Sequence, residues 1–349
     1  MGRIPAAAFT VKQCLLVLAA VFAVISSAAW GDKQSDPEST SMAERYDQWM
    51  VQHGRVYSDD AEKQRRFDIF KSNVELIDSF NAAGKHKYSL GVNQFADMTT
   101  EEFKASHTGF KNTVTRPIGK GGFRYENVSA TPASVDWRAE GAVTPVKDQE
   151  MCESGWAFSA VAAMEGITQL TSGQLISLSE QELVDCDVNG EDYGCNGGVM
   201  DNAFVFIINN GGLATDVNYP YKGIDWTCSE EKSSPSAATI SGFEDVPVDD
   251  EAALRKAVAH QPVSVAIDVS GSEFRFYEGG IFTRDCGTDV DHGVTAVGYG
   301  EASDGSKYWL VKNSWGAGWG EQGYIRMERD VDAKEGLCGI AMRASYPTA

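Results

Sequence analysis

Six cysteines lie between residues 152 and 338, behind an amino-terminal stretch that reads as a secretory leader, and this combination restricts what the chain can fold into. Arg3 and Lys12 supply positive charge, residues 14–25 form a short apolar run, and Ser27, Ala28 and Ala29 offer small residues for cleavage, so residues 1–29 read as a signal peptide. The apolar run is too short to span a bilayer, and no later segment is long and apolar enough to do so. A chain routed this way meets an oxidising environment in which paired cysteines persist. Of seven cysteines, Cys14 leaves with the leader; Cys152, Cys186, Cys195, Cys228, Cys286 and Cys338 remain. An even number predicts a disulfide framework, but spacing alone leaves the pairing open.

The 349 residues suffice for a pro-segment followed by a globular domain, and 42% hydrophobic content fits a packed core. The net charge of −20 is concentrated after Ala130, where 14 Lys and Arg face 35 Asp and Glu. Such a surface excludes nucleic acid and anionic membranes as expected partners. It repels itself less in acid, which is compatible with a vacuole, a lysosome or an acidic extracellular space; acidic surfaces also serve solubility alone.

Residues 42–80 carry a charged helical pattern in which Glu62, Arg66, Phe70, Asn73, Ile77 and Asn81 recur at steps of three and four and share one face. Gly91, Asn93, Phe95 and Asp97 stand in a second compact segment, Gly-Val-Asn-Gln-Phe-Ala-Asp. Residues 109–125 lack periodicity and read as an extended linker. Asn127-Val128-Ser129 is a glycosylation sequon. Beyond it, residues 156–170 read as a buried helix. Ser179-Glu180-Gln181-Glu182 has the form of a capping box opening a second. A third helix, 200–209, ends at Gly211 and Gly212. After Thr239 short β-rich runs dominate, at 262–267, 294–299, 308–312 and 324–328. Helices first and strands later predict an α+β domain.

Four segments carry the chemistry: Gln149-Glu150-Met151-Cys152-Glu153-Ser154-Gly155-Trp156-Ala157-Phe158-Ser159, Gly194-Cys195-Asn196-Gly197-Gly198, Val290-Asp291-His292-Gly293, and Lys312-Asn313-Ser314-Trp315-Gly316. In this order they resemble the active-site segments of papain-like cysteine peptidases, and the helical and Gly-x-Asn-x-Phe-x-Asp motifs resemble the propeptide of the cathepsin L-like branch, closest to plant-type members. The resemblance implies a papain-like two-lobed α+β fold, with a helical lobe (roughly 140–240) and a β-barrel-like lobe (roughly 241–345) in a domain of residues 130–349. It also implies a helical inhibitory propeptide (30–129) lying through the cleft as an internal partner. It further implies disulfides Cys152–Cys195, Cys186–Cys228 and Cys286–Cys338, a monomer, peptide or protein ligands, cystatin-like inhibitors as partners, and no metal or organic cofactor.

Residue by residue, the resemblance assigns Gln149 to the oxyanion hole, His292 to the acid–base role, Asn313 to orienting it and Trp315 to covering the pair. It assigns Glu153, Gly197, Gly198, Ala266, Trp315 and Arg343 to substrate contact, with Arg343 at the floor of the pocket for the second residue before the scissile bond. The nucleophilic cysteine falls on Gly155, which has no side chain to attack a carbonyl. Glu150 and Glu153 replace glycines of the motif. Ser154, one helical step away, should point away from His292. The expectation is a catalytically inactive homologue in the secretory pathway, vacuolar, lysosomal or extracellular, that retains a peptide- or inhibitor-binding cleft. The alternatives are an active cysteine endopeptidase, should Gly155 be a sequence error or a minor allele, and a storage or defence protein valued for its durable fold.

Overall fold

The structure is a computed structural model, and it describes residues 41–111, 122–188, 192–284 and 286–349. The leader, Cys14 and the centre of the 109–125 linker lie outside the described residues. The chain divides into two units, Met1–Arg45 and Tyr46–Ala349. Of the first unit, the described residues are 41–45, at the start of α1 (Met42–Gln52).

The helical pattern expected over 42–80 is interrupted. α1 ends before Gly54, and α2 (Asp60–Ala83) begins afresh behind Asp59, whose carboxylate accepts the Glu62 N–H at 2.8 Å. A periodicity argument runs across such a break because both helices present apolar residues to the same core. The motif residues of α2 then act at successive turns. Arg66 donates to Glu62 (2.7 Å), to Glu102 (2.8 Å) and to the Asp97 carbonyl (2.9 Å). Phe70 and Ile77 are buried, Asn73 donates to the carbonyls of Ala96 and Met98, and Asn81 pairs through its amide with both backbone groups of Leu90. These bonds fix β1 (Tyr88–Leu90), the 91–98 turn and α3 (Thr100–His107), which opens with a complete Thr99/Glu102 capping box.

After β2 (Val135–Asp136) come α4 (Gly155–Ser172), α5 (Glu180–Cys186), α6 (Met200–Asn210) and the short α7 (Glu230–Ser233). The box expected at α5 is half formed. Ser179 accepts the Glu182 N–H, but the Glu182 carboxylate serves Asn210 and the Ala214 N–H instead. α4 is buried along most of its length and centres one apolar cluster with Leu183, Val199, Phe204 and Leu213.

The rest is strand-rich: β3 (Gly242–Asp245), α8 (Glu251–Val258), β4 (Val263–Ile267), α9 (Ser272–Arg275), β5 (Tyr277–Phe282), β6 (His292–Glu301), β7 (Lys307–Lys312), β8 (Tyr324–Glu328) and β9 (Ala344–Thr348). Among the described residues the sheet runs β1-β5-β8-β7-β6-β4-β9-β3, with β2 also on β6. β1 extends the edge at β5, Tyr88 opposite Gly280 and Leu90 opposite Tyr277. The second apolar cluster joins Ile77, Leu90, Phe95 and Phe103 of the amino-terminal region to Phe274, Trp309 and Trp315 of the strand-rich region. The amino-terminal helices and the strand-rich region therefore share one core. All three disulfides that the resemblance implied are present.

Candidate active-site cleft

The β-lobe wall is built by two adjacent strands. His292 opens β6 and Asn313 follows β7, and the Thr295–Lys312 register sets them side by side. Oδ1 of Asn313 accepts the N–H of Ser314 (2.8 Å) and lies 2.8 Å from His292 Nε2. An amide oxygen only accepts, so the ring proton sits on Nε2 and Nδ1 carries a lone pair. Trp315 stacks on the ring, centroids 4.9 Å apart at 19°, and is itself edge-on to Phe95, Phe103, Phe274 and Trp319. Burial pushes the His292 pKa down to about 4, partly offset by the Asn313 bond and by the Thr108 backbone. His292 is thus a neutral base with its lone pair turned inward, and Nδ1 has no hydrogen-bonded partner of good geometry.

The helical-lobe wall is the 149–155 segment. Gln149 is fully buried; Ser314 Oγ donates to its Oε1 at 2.6 Å, and its Nε2 donates to the Cys152 carbonyl at 2.8 Å and weakly to that of Thr108 at 3.4 Å. The Cys152–Cys195 bridge pins this segment to the 194–198 loop. Gly155 is the first residue of α4 and faces His292 directly. A Cβ built there would stand 2.5 Å from both Nδ1 and Cε1 of the imidazole and 3.2 Å from the Gly293 carbonyl. The ring therefore occupies ground that any side chain at 155 would need, a feature invisible in the sequence because it depends on how the histidine settles against a bare backbone. The Ser154 hydroxyl turns away as expected, 2.8 Å from the Tyr221 hydroxyl. The two glutamates part company. Glu150 is exposed, sits in the left-handed region (φ 53) and extends beside Gly223, so it does not line the cleft. The carboxylate of Glu153 does face the cleft.

The segment that follows α3, residues 108–111, crosses between these walls. Phe110 donates its N–H to Asp291 (2.8 Å), Gly198 donates to Gly109 (2.9 Å) and Lys111 donates to Gly198 (3.1 Å), a parallel bridge. The approach is close enough to need glycine on both sides. Gly109 has φ +115 and a Cβ there would overlap the Glu153 carbonyl; Gly197 has φ +97 and a Cβ there would lie 2.5 Å from the Gly109 carbonyl. Phe110 is buried in the cluster of Trp156, Ala160, Ala266 and Val290. Ala266, on β4, donates its N–H to the carbonyl of Arg343 (3.0 Å), which places the half-buried Arg343 beside it. Trp315 Nε1 donates to the His107 carbonyl at 3.0 Å.

Sequence reasoning missed a buried polar cluster behind Asn313. Lys147 bridges Glu165 (3.0 Å) and Glu180 (2.7 Å), and Lys312 donates to Thr144 at 2.9 Å. Lys147, Glu180, Lys312 and Asn313 line a cavity of about 20 Å³, room for about one water. The signal was available as Lys and Glu inside apolar runs, but nothing local pairs residues so far apart. Among the described residues, no group of three or more His, Cys, Asp or Glu is arranged to hold a metal ion. Asn127 is exposed.

The profile described as papain family cysteine protease matches residues 131–348, and that of the cathepsin propeptide inhibitor domain (I29) matches 46–103. The chain is 57% identical over the full length of both chains to senescence-specific cysteine protease SAG39 of Oryza sativa subsp. indica. It is 53% identical to vignain of Ricinus communis, over 95% of this chain and 92% of that one. Among solved structures it is similar to a recombinant stem bromelain precursor (TM-score 0.82, 48% identity, 88% of this chain and 98% of that one). It is equally similar in fold to the proform of the ragweed pollen allergen Amb a 11 (TM-score 0.82, 46% identity, 88% and 94%). The chain belongs to the papain family of cysteine proteases and carries that family's propeptide domain.

Proposed function

We propose that this family member is catalytically inactive and that its cleft holds peptide segments without cutting them. One observation carries the reading: position 155, which faces the lone pair of His292 at the start of α4, bears no side chain. Acyl transfer needs a nucleophile whose proton that base can take. Ser154 is committed to Tyr221, and Cys152 is committed to its disulfide. Deleting the nucleophile in a comparable nucleophile–base system costs roughly a million-fold in kcat. Peptides and cystatin-like inhibitors are the partners this cleft suits, in the secretory pathway and an acidic vacuolar or extracellular destination.

The purified protein, its propeptide removed by an added protease, is expected to hydrolyse no dipeptidyl fluorogenic substrate between acidic and neutral pH. Incubated alone in acid, the proprotein should stay a single band. Thiol-dependent turnover that an epoxide-type cysteine inhibitor blocks would overturn the reading. A second reading, active endopeptidase, draws on the retained His292–Asn313 bond and Gln149; it applies to a chain bearing cysteine at 155, and sequencing that codon from the source tissue separates the two.

A further inference from the structure

Glu153 is a departure with a partner. Its carboxylate lies 3.3 Å from the ammonium of Lys111, 42 residues upstream, an ion pair that joins the cleft wall to the segment crossing it. The rest of that segment is held without regard to charge. Gly109 fits because a Cβ would strike the Glu153 backbone, Phe110 fills an apolar pocket, and main-chain bonds run to Asp291 and Gly198. Main-chain bonds of this kind fix position while side-chain pockets set preference. The side chains of the pair are 37% and 21% exposed, so solvent screens the attraction without abolishing it.

From this geometry we infer that Glu153 is a specificity-determining residue, and that the cleft selects extended peptides of the form glycine–aromatic–basic, running parallel to the 196–198 segment and left uncut. The cation belongs two residues beyond the glycine, because the glycine itself occupies the place beside the Glu153 backbone. An acidic residue in that place would set two carboxylates face to face, and like-charge juxtaposition is how such surfaces reject wrong partners. This inference rests on the proposed loss of catalysis, since a cut peptide would not remain bound.

The test uses the full chain. Hydrogen exchange at residues 108–111 is read relative to that of β6. Lys111→Glu and Glu153→Lys should each speed exchange of the segment about tenfold, and the two combined should bring it back to within about twofold of the parent. Single reversals without effect, or a double variant no better than either, would overturn the pairing. In a second arm, the Lys111→Glu chain, its own segment loosened, is titrated with labelled His-Thr-Gly-Phe-Lys and with the same peptide carrying Glu in place of Lys. The lysine peptide should bind about tenfold tighter, and Glu153→Gln should remove most of the difference. Equal binding of both peptides would overturn the inference alone. Recovery of either peptide cleaved would instead overturn the catalytic reading.

Discussion

The two walls of the cleft are held together to different degrees. On the β-lobe side His292, Asn313 and Trp315 stand in a buried, mutually bonded set, each with a packing or hydrogen-bonding reason to persist whether or not chemistry occurs. On the helical-lobe side stand Gly155, Glu150 and Glu153, the three positions that the sequence resemblance sets apart from the family motif. A glycine opening α4 removes a side chain without breaking a bond, and Glu153 finds a cation. Only Glu150 carries a backbone cost, being held at φ 53. On the proposed reading, the side chain that chemistry needs is missing where the fold loses little, and the others stay where losing them would open the core. Retained active-site residues in a protein of this kind are weak evidence for activity unless the structure gives them no other role.

The contrast breaks first at Trp315. Trp315→Ala removes a fully buried indole that stacks on His292 and touches four aromatic neighbours, and about 3–5 kcal/mol of stability should go with it, read by urea unfolding. A loss under about 1 kcal/mol would show that the β wall is not structurally enforced.

Acid should sharpen the contrast. His292 and His107, at the end of α3, are both held neutral by burial, each with its pKa pushed down to about 4 from 6.5. Below the ordinary histidine pKa the unfolded chain takes up protons that the folded chain refuses. Their contribution is therefore complete above pH 6.5 and is lost as pH falls towards 4, up to about 3 kcal/mol for each. Half-buried Asp291, raised to about 7 by desolvation, works in the opposite direction and gains stability on acidification. The histidine effect is therefore read as a difference: His107→Gln should flatten the loss of stability between pH 6.5 and 4.5 relative to the parent. Parallel profiles would contradict the assignment.

Much of this is legible in the sequence and some is not, for physical reasons. α4 announces itself through a long run of Ala, Val and Met, and α6 through its terminal glycines, because these signals are local. α8 goes unseen: eight residues among strand patterns give too few turns, although Ala253, Leu254, Ala257 and Val258 do share its buried face. The family motifs locate Gln149, His292 and Asn313, but spacing could not reveal that the imidazole closes over Gly155, or that Glu153 meets Lys111. Both depend on chain segments that meet only in the folded state.

Gly155→Ala probes the other wall. Its Cβ would enter the imidazole's ground, so the ring must withdraw from Asn313 or Trp315, at a cost of about 1–3 kcal/mol. A neutral or stabilising effect would mean that the histidine moves aside freely. Smallest of all, Glu150→Gly should relieve the left-handed strain and raise stability by about 0.5 kcal/mol after the added freedom of the unfolded chain is counted. Destabilisation instead would show that the Glu150 side chain has a structural role beside Gly223.

The most direct test is active-site labelling of the propeptide-free protein by an epoxide-type cysteine inhibitor, followed by intact mass, for the parent and for Gly155→Cys. The parent is predicted to stay unlabelled at every pH, and the variant to label once its new thiol displaces the imidazole and meets the Nδ1 lone pair. Stoichiometric labelling of the parent would contradict the claim that this cleft has no nucleophile.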